Sequence, residues 1–330
     1  MTEFKCLFSV LTTGVFIAVT LCVSASHGDL EGPELENTAD RVRVQALIES
    51  AANLREAGQY AQAAPILSEA LALAEQIPGP HEMILAATLN QIGILDKYSG
   101  HFDDGEQAYQ RALAIVEAAG KDNASDSVEL LMADIYHNLG GLDHARERYA
   151  HGQAFARRSV EIRERLLGPN DPATLADIAA LAALLEGQGK YKEAEQLYIH
   201  VLSAFARTNG PESYDVAVNL NNLAALYFAG GKFNEAESRY LQALAIKEKL
   251  LGKDHPDVGF TLNNLAVLYK TQGKLKNAGL LYRRALDIFE KALSPDHPKL
   301  IECRENYAQL LKRISVQRQI SPKIGVQRTS

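Results

Sequence analysis

The stretch Asn-Leu-Asn-Asn-Leu-Ala-Ala-Leu-Tyr at residues 219–227 recurs 42 residues later, at 261–269, as Thr-Leu-Asn-Asn-Leu-Ala-Val-Leu-Tyr. In the second copy Leu262, Leu265 and Tyr269 fall at i, i+3 and i+7, the spacing of one face of an α-helix. The pattern therefore predicts a helix with one apolar side, and its recurrence predicts a chain built from repeated helical units.

Six positions mark the period of these units. Five are glycines, which end a helix readily because they adopt the left-handed conformation at little cost. The spacing is 42 residues except for one step of 47, and a period of 20–50 residues is the signature of a solenoid whose units stack on their neighbours. The six positions are Gly58, Gly100, Glu147, Gly189, Gly231 and Gly273.

A second helix is predicted after each marker, so that each unit is a helical hairpin. A small residue recurs near the start of this helix and allows the two helices to approach closely, and a tyrosine follows it in most units. The small residues are Ala63, Gly105, Gly152, Ala194, Ala236 and Ala278, and the tyrosines are Tyr109, Tyr198, Tyr240 and Tyr282.

The small, aromatic and glycine positions at fixed offsets resemble the tetratricopeptide repeat. The 42-residue period and the Leu-Leu-Gly-Lys-Asp-His-Pro link at 250–256 are similar to repeats of the kinesin-light-chain type. The resemblance covers residues 44–313. It implies an all-α fold, an α-solenoid of antiparallel helix pairs in a right-handed superhelix, with six hairpins and a capping helix at 299–313.

The segments outside the array differ from it in composition. Residues 1–25 combine Lys5, an apolar run and a Val-Ser-Ala ending, which predicts a cleaved signal peptide; an uncleaved anchor is the alternative. We therefore expect an exported protein, periplasmic or secreted, with a bacterial host favoured. Residues 26–43 are interpreted as a polar linker and 314–330 as a disordered tail. Cleavage would leave Cys303 as the one cysteine, which excludes an intramolecular disulfide.

The third unit departs from its neighbours. The step of 47 residues that leads to Glu147 contains five residues more than the usual period of 42. Asp143 stands where other units have tyrosine, and Glu147 replaces the turn glycine. Because the stability of a repeat array sums unit and interface contributions, we expect a weak joint here. Sequence drift or a hinge is the favoured interpretation, and a specialised pocket is the alternative.

Composition and motifs argue against several classes of function. The chain has 34 basic and 41 acidic residues, a net charge of −7, which disfavours nucleic acid and anionic membranes as partners. No nucleophile motif or phosphate-binding loop stands out. His137 and His144 lie two turns apart, too far to share a metal, and Asp134 with His137 lacks a third ligand. We expect no enzyme, no cofactor and no metal site, and no membrane contact beyond the signal segment.

Asparagines recur in the predicted first helices, although asparagine is a mediocre helix former. In tetratricopeptide arrays the first helices line the concave groove, and these asparagines resemble the family's peptide-clamping residues. A carboxamide both donates and accepts, so it suits the backbone of an extended peptide. The alternative is a structural ladder between helices. Asn90 shares a register with Asn221 and Asn263. The proposed peptide-binding residues are Asn138, Asn221, Asn222, Phe228, Phe260, Asn263, Asn264, Val267, Lys270 and Asn306.

The sequence therefore predicts a non-catalytic interaction scaffold that binds an extended segment of a protein or peptide partner in its groove. The alternative is a structural component that associates with itself or with envelope partners through the edges of its repeats.

Overall fold

The computed structural model describes residues 33–77, 82–122, 125–295 and 297–320. These residues form α-helices joined by short links, without a strand among them, as the sequence predicts. The helices are α1 (Pro33–Glu56), α2 (Tyr60–Ala74), α3 (Glu82–Ser99), α4 (Phe102–Asp122), α5 (Asp126–Ala145), α6 (Tyr149–Leu167), α7 (Pro172–Gly187), α8 (Tyr191–Thr208), α9 (Tyr214–Ala229), α10 (Phe233–Leu251), α11 (Pro256–Thr271), α12 (Leu275–Ala292) and α13 (Pro298–Ile320).

Successive helices pack as hairpins, and we call the odd-numbered helices first helices and the even-numbered ones second helices. The hairpins α1/α2, α3/α4, α5/α6, α9/α10 and α11/α12 are the most extensive contacts. The predicted small residues mediate them: Ala63 and Ala278 are fully buried, and a Cβ on Gly105 would lie 3.1 Å from the carbonyl oxygen of Gly93. The tyrosines beside them are also buried. The hairpin prediction is therefore confirmed.

The described residues form two compact units that divide within α8. One unit contains α1–α7 and α8 as far as Ala204, and the other contains the rest of α8, from Phe205, with α9–α13. The compact unit that contains α1–α7 is built on a continuous apolar core from Val44 to Ile162. In the second unit, one core cluster surrounds Tyr240 and another joins α11, α12 and α13.

The turn positions behave as the sequence predicts. Gly231 and Gly273 have φ of 74° and 76°, in the left-handed region that favours glycine. Glu147 adopts the same conformation with φ of 60°, and among the described non-glycine residues it alone has a positive φ. The third turn therefore keeps the left-handed conformation without glycine, the residue that adopts it at the lowest cost in free energy.

Replacing Glu147 by Gly should raise the free energy of unfolding by about 1 kcal/mol, because a left-handed conformation costs a residue with a Cβ roughly 1–2 kcal/mol and glycine loses part of that gain to its unfolded-state entropy. Urea unfolding followed by circular dichroism measures the change. The matched control is Glu161→Gly within α6, which should lower stability by about 1 kcal/mol. A destabilised Glu147→Gly variant would contradict the account.

Ion pairs hold the third hairpin where the tyrosine is missing. Asp143 is buried; its Oδ1 accepts from Nε of Arg148 at 2.6 Å, and its Oδ2 lies 2.6 Å from Nδ1 of His151. Arg146 and Arg148 also reach Glu106 of α4, at 2.6 and 3.0 Å. The division between the two compact units falls in α8, and the weak joint expected at the third hairpin stays a prediction.

An open cleft of about 480 Å³ lies beside the third hairpin, between α4, α5 and α6. Val128, Met132 and Ile162 contribute its apolar surface. Arg158 at its rim pairs with Glu161 at 3.2 Å. Asp143 and Glu147, the residues that set the third repeat apart, do not line this cleft, so the specialised pocket stays a prediction.

The ends of the array differ from the predicted boundaries. The helix α13 continues to Ile320, so the disordered tail predicted from Ile314 is wrong for residues 314–320. Ile314 packs against the last core cluster, which explains why the helix continues past Arg313. At the other end α1 begins at Pro33, inside the predicted linker, because proline followed by an acidic residue suits a helix start. The predicted signal peptide and residues 321–330 lie outside the described residues.

Candidate functional site

The first helices of each unit lie side by side and are joined by polar side chains. Asn264 of α11 donates from Nδ2 to Oδ1 of Asn221 in α9 at 3.4 Å, and Lys270 donates to Oε1 of Gln309 in α13 at 3.1 Å. In the compact unit that contains α1–α7, Asn138 of α5 donates to Oδ1 of Asn90 in α3 at 3.0 Å. Part of the amide capacity is therefore used between helices, as in the structural ladder.

The ten predicted site residues fall into two groups by exposure. Asn221, Asn222, Phe228, Asn263 and Asn264 are buried, each less than a tenth exposed, whereas Asn138, Phe260, Val267, Lys270 and Asn306 are half-buried.

The burial of the α9 asparagines follows from the position of that helix. Every residue from Val216 to Leu226 is buried, so Asn221 and Asn222 lie on a helix covered on all sides. Asn263 is also buried, and its Oδ1 accepts no hydrogen bond from any described residue. A helical pattern identifies the side on which these amides lie but not what covers it.

The two predicted phenylalanines pack within their own hairpins. The Phe228 ring lies 5.9 Å from that of Phe233, and Phe260 lies 5.0 Å from Phe289 of α12. Val267, Lys270 and Asn306, with the partly exposed Phe260, form the half-buried surface that we call the first-helix face of α11 and α13. It combines apolar, cationic and amide groups.

A buried charged cluster in the compact unit that contains α1–α7 was not predicted. Arg163 of α6 donates to Oδ1 of Asp177 in α7 at 2.5 Å and to Asp134 of α5, and the carboxylate of Asp177 is fully buried. His137 Nδ1 lies 2.7 Å from Oδ1 of Asp177, and Ser159 donates to Oδ2. The cluster therefore joins α5, α6 and α7 through charged and polar contacts.

The register contained a signal for this cluster. At 42-residue steps from Arg163 stand Phe205, Lys247 and Phe289, all buried. Two phenylalanines at the equivalent positions indicate that the site is inside the protein, so a cation there requires a partner.

Asp134→Asn tests the electrostatics of the cluster. Burial raises the pKa of the Asp134 carboxyl to about 6, with Asp177 adding to the rise and Arg163 opposing it. A raised folded-state pKa means that the carboxyl favours folding when protonated, and that this stabilisation is lost as pH rises through about 6. The stability of Asp134→Asn relative to the wild type should therefore increase between about pH 4 and pH 7.

Thermal unfolding across that pH range measures the difference. The matched control is Asp126→Asn, at an exposed position in the first turn of α5, measured over the same pH range. A difference for Asp134→Asn that is flat or falls with rising pH would contradict this assignment.

Among the described residues, no three His, Cys, Asp or Glu side chains are grouped so that they could hold a metal ion. Within the same part of the chain, no helix is both long and apolar enough to cross a bilayer.

The tetratricopeptide repeat family profile matches residues 43–118, 131–207, 174–249 and 215–291. The chain therefore belongs to the tetratricopeptide repeat family. No curated protein matches the chain.

Solved structures share the fold. BtubC (BKLC) from P. vanneervenii is 24% identical, with 77% of this chain and 94% of that chain covered and a TM-score of 0.52. A single-residue variant of a putative kinesin light chain from Podosopora anserina, with nearly identical TPR-like repeats, is 22% identical over 64% of this chain and 98% of that chain, with a TM-score of 0.51. NprR, solved in complex with its cognate peptide NprX, is 15% identical over 87% and 74%, with a TM-score of 0.57.

Proposed function

We propose that the chain is a non-catalytic scaffold that binds an extended segment of a protein partner on the first-helix face of α11 and α13. The observation that carries the proposal is the half-buried set Val267, Lys270 and Asn306 on neighbouring first helices. A carboxamide can pair with peptide backbone, an apolar side chain can hold one side chain of the segment, and an ammonium favours a carbonyl or carboxylate.

The most deeply buried asparagines are not part of the proposed contact. Asn221 and Asn264 bond to each other, as in the ladder, and Asn222 and Asn263 are almost inaccessible to a ligand. Asn138 in the first unit is half-buried but donates to Asn90. The best supported contacts are therefore those of α11 and α13. NprR, with a related fold, is solved with a peptide, which supports a peptide as the class of ligand to test.

Peptide selection by display against the full chain, followed by isothermal titration, tests this proposal. Asn306→Ala combined with Val267→Ala should weaken a selected peptide by roughly tenfold or more, as loss of central interface contacts does. The matched control is Leu241→Ala, on an exposed residue of the second helix α10, which should leave affinity unchanged. Equal affinity in both variants, with circular dichroism unchanged, would exclude the first-helix face.

We also propose that the protein is exported to the periplasm or secreted, which rests on the sequence of residues 1–25. Mass spectrometry of the protein from its native host gives the test. A mature chain starting at Ser26 supports cleavage after Ala25. An N-terminus that retains residues 1–25 on a cytosolic protein would overturn it.

A further inference from the structure

The last helix exposes a surface that earlier first helices cover. In α11, a Cβ on Gly259 would lie 2.6 Å from the Phe289 ring of α12, and Leu262 and Ala266 are fully buried. The equivalent residues of α13, 42 positions later, are Ile301, Arg304 and Ala308, and all three are exposed. Among the described residues no second helix follows α13, so the side that would face it is open.

The open side of α13 is partly apolar. Ile301, Leu311 and Val316 are 42%, 48% and 52% exposed. The opposite side of the same helix, at Cys303 and Leu310, is fully buried against the core cluster shared with α12. A helix with a second apolar strip requires a partner more than an ordinary capping helix does.

We propose that this surface, the open face of α13 formed by Ile301, Ala308, Leu311 and Val316, binds the same face of a second copy of the chain, with the two helices antiparallel. A twofold contact is self-complementary, so each residue pair occurs twice. With the axis between Ala308 and Gln309, Ile301 of one copy lies opposite Val316 of the other. Ala308 at the centre allows close approach of the helices.

The charges of α13 select a second copy as the occupant. In the antiparallel register Glu305 lies opposite Lys312, and the two exposed residues form no ion pair within the part of the chain that the structure describes. Arg304 and Arg313 come to the same level in this register, but Arg313 lies on the Asn306 side of α13, away from the open face, and each arginine is held in its own chain. Arg304 donates to Glu290 at 3.0 Å, and Arg313 donates to the carbonyl oxygen of Lys270 at 3.0 Å. The contact therefore gains two opposite-charge pairs.

This inference does not rest on the proposed peptide contact. Asn306 lies nearly half a turn from Ala308 around α13, so the open face and the first-helix face are different sides of the helix. A failure of self-association leaves peptide binding untouched, and the converse also holds.

Sedimentation velocity of the mature chain, from Ser26, over a roughly hundredfold range of concentration tests the proposal. The wild type should show a concentration-dependent dimer, and Ala308→Glu should weaken it by roughly tenfold or more, because it places two like charges at the axis. The control Leu241→Glu, on an exposed apolar residue of α10, should dimerise like the wild type. A wild type that stays monomeric, or an Ala308→Glu variant that dimerises equally, overturns the proposal.

A charge exchange tests the register. Glu305→Lys alone and Lys312→Glu alone should each weaken the dimer, and the double variant should restore it, because each pair is then opposite in sign again. A double variant no stronger than either single one overturns the antiparallel pairing. Deleting residues 321–330 identifies a competing occupant: if the wild type is monomeric and the shortened chain dimerises, the last ten residues cover the face and the second copy does not.

Discussion

Replacing Arg163 by Met should lower the free energy of unfolding by about 3–5 kcal/mol, the usual cost of removing one partner from a buried ion pair. The Asp177 carboxylate is fully buried and accepts from Arg163 at 2.5 Å. Without the guanidinium, the hydrogen-bonding side chains left to it among the described residues are His137 and Ser159, and Asp134 loses a partner as well. Urea unfolding followed by circular dichroism measures the loss.

Two further variants make this prediction specific. Arg158→Met, at a residue 62% exposed and paired on the surface with Glu161, should change stability by less than about 0.5 kcal/mol. Arg163→Phe combined with Asp177→Cys introduces the residue types of Phe289 and Cys303, which stand in the same registers of the last repeat. This pair should recover much of the loss, since the fully buried Asp177 carboxylate is removed together with its partner. A loss below about 1 kcal/mol in Arg163→Met would contradict the assignment.

Lys247→Met should have the opposite sign and raise the free energy of unfolding by about 1–2 kcal/mol, because replacing a poorly compensated buried charge by an apolar group of similar shape is often stabilising. Lys247 is fully buried in α10, and its Nζ reaches the carbonyl oxygen of Asp257 only at 3.5 Å. That carbonyl also accepts from Thr261 at 3.2 Å, so the substitution leaves no orphaned acceptor.

The pH dependence gives the check on Lys247. Burial lowers the pKa of the Lys247 ammonium, with Asp257 opposing the effect. Because the folded-state pKa is below the unfolded one, the penalty is present near neutral pH and disappears as pH rises towards the ordinary lysine value of about 10.4. The gain from Lys247→Met should therefore shrink between about pH 7 and pH 10. Lys249→Met, on an exposed residue of the same helix, serves as the control, and a gain that grows with pH would contradict the account.

Much of the fold could be predicted because the same residue types recur along the sequence with a fixed period. The positive φ of Gly231 and Gly273 and the burial of Ala278 and Tyr282 follow from residue types that recur at fixed offsets. The end of α13 could not be predicted in this way, because the contact of Ile314 with the last core has no equivalent in an earlier unit.

The candidate site was less predictable for two physical reasons. A helical pattern shows that Asn222 and Asn264 share a side, but the nearly complete burial of Asn222 depends on helices that pack over it, which the pattern does not contain. Arg163 and Lys247 were missed because a long cation in an amphipathic helix usually indicates a solvated side. Their register with Phe205 and Phe289 was the observation that indicated otherwise.

The most direct test of the central claim, that the first-helix face of α11 and α13 holds a protein segment, is photocrosslinking to a selected peptide. A photoreactive amino acid replaces Thr271, an exposed residue one turn beyond Val267 on the same side of α11, or Leu241 on the exposed side of α10. Mass spectrometry of the products locates the peptide. The account predicts a crosslink from position 271 and none from position 241. A crosslink from position 241 alone would contradict it.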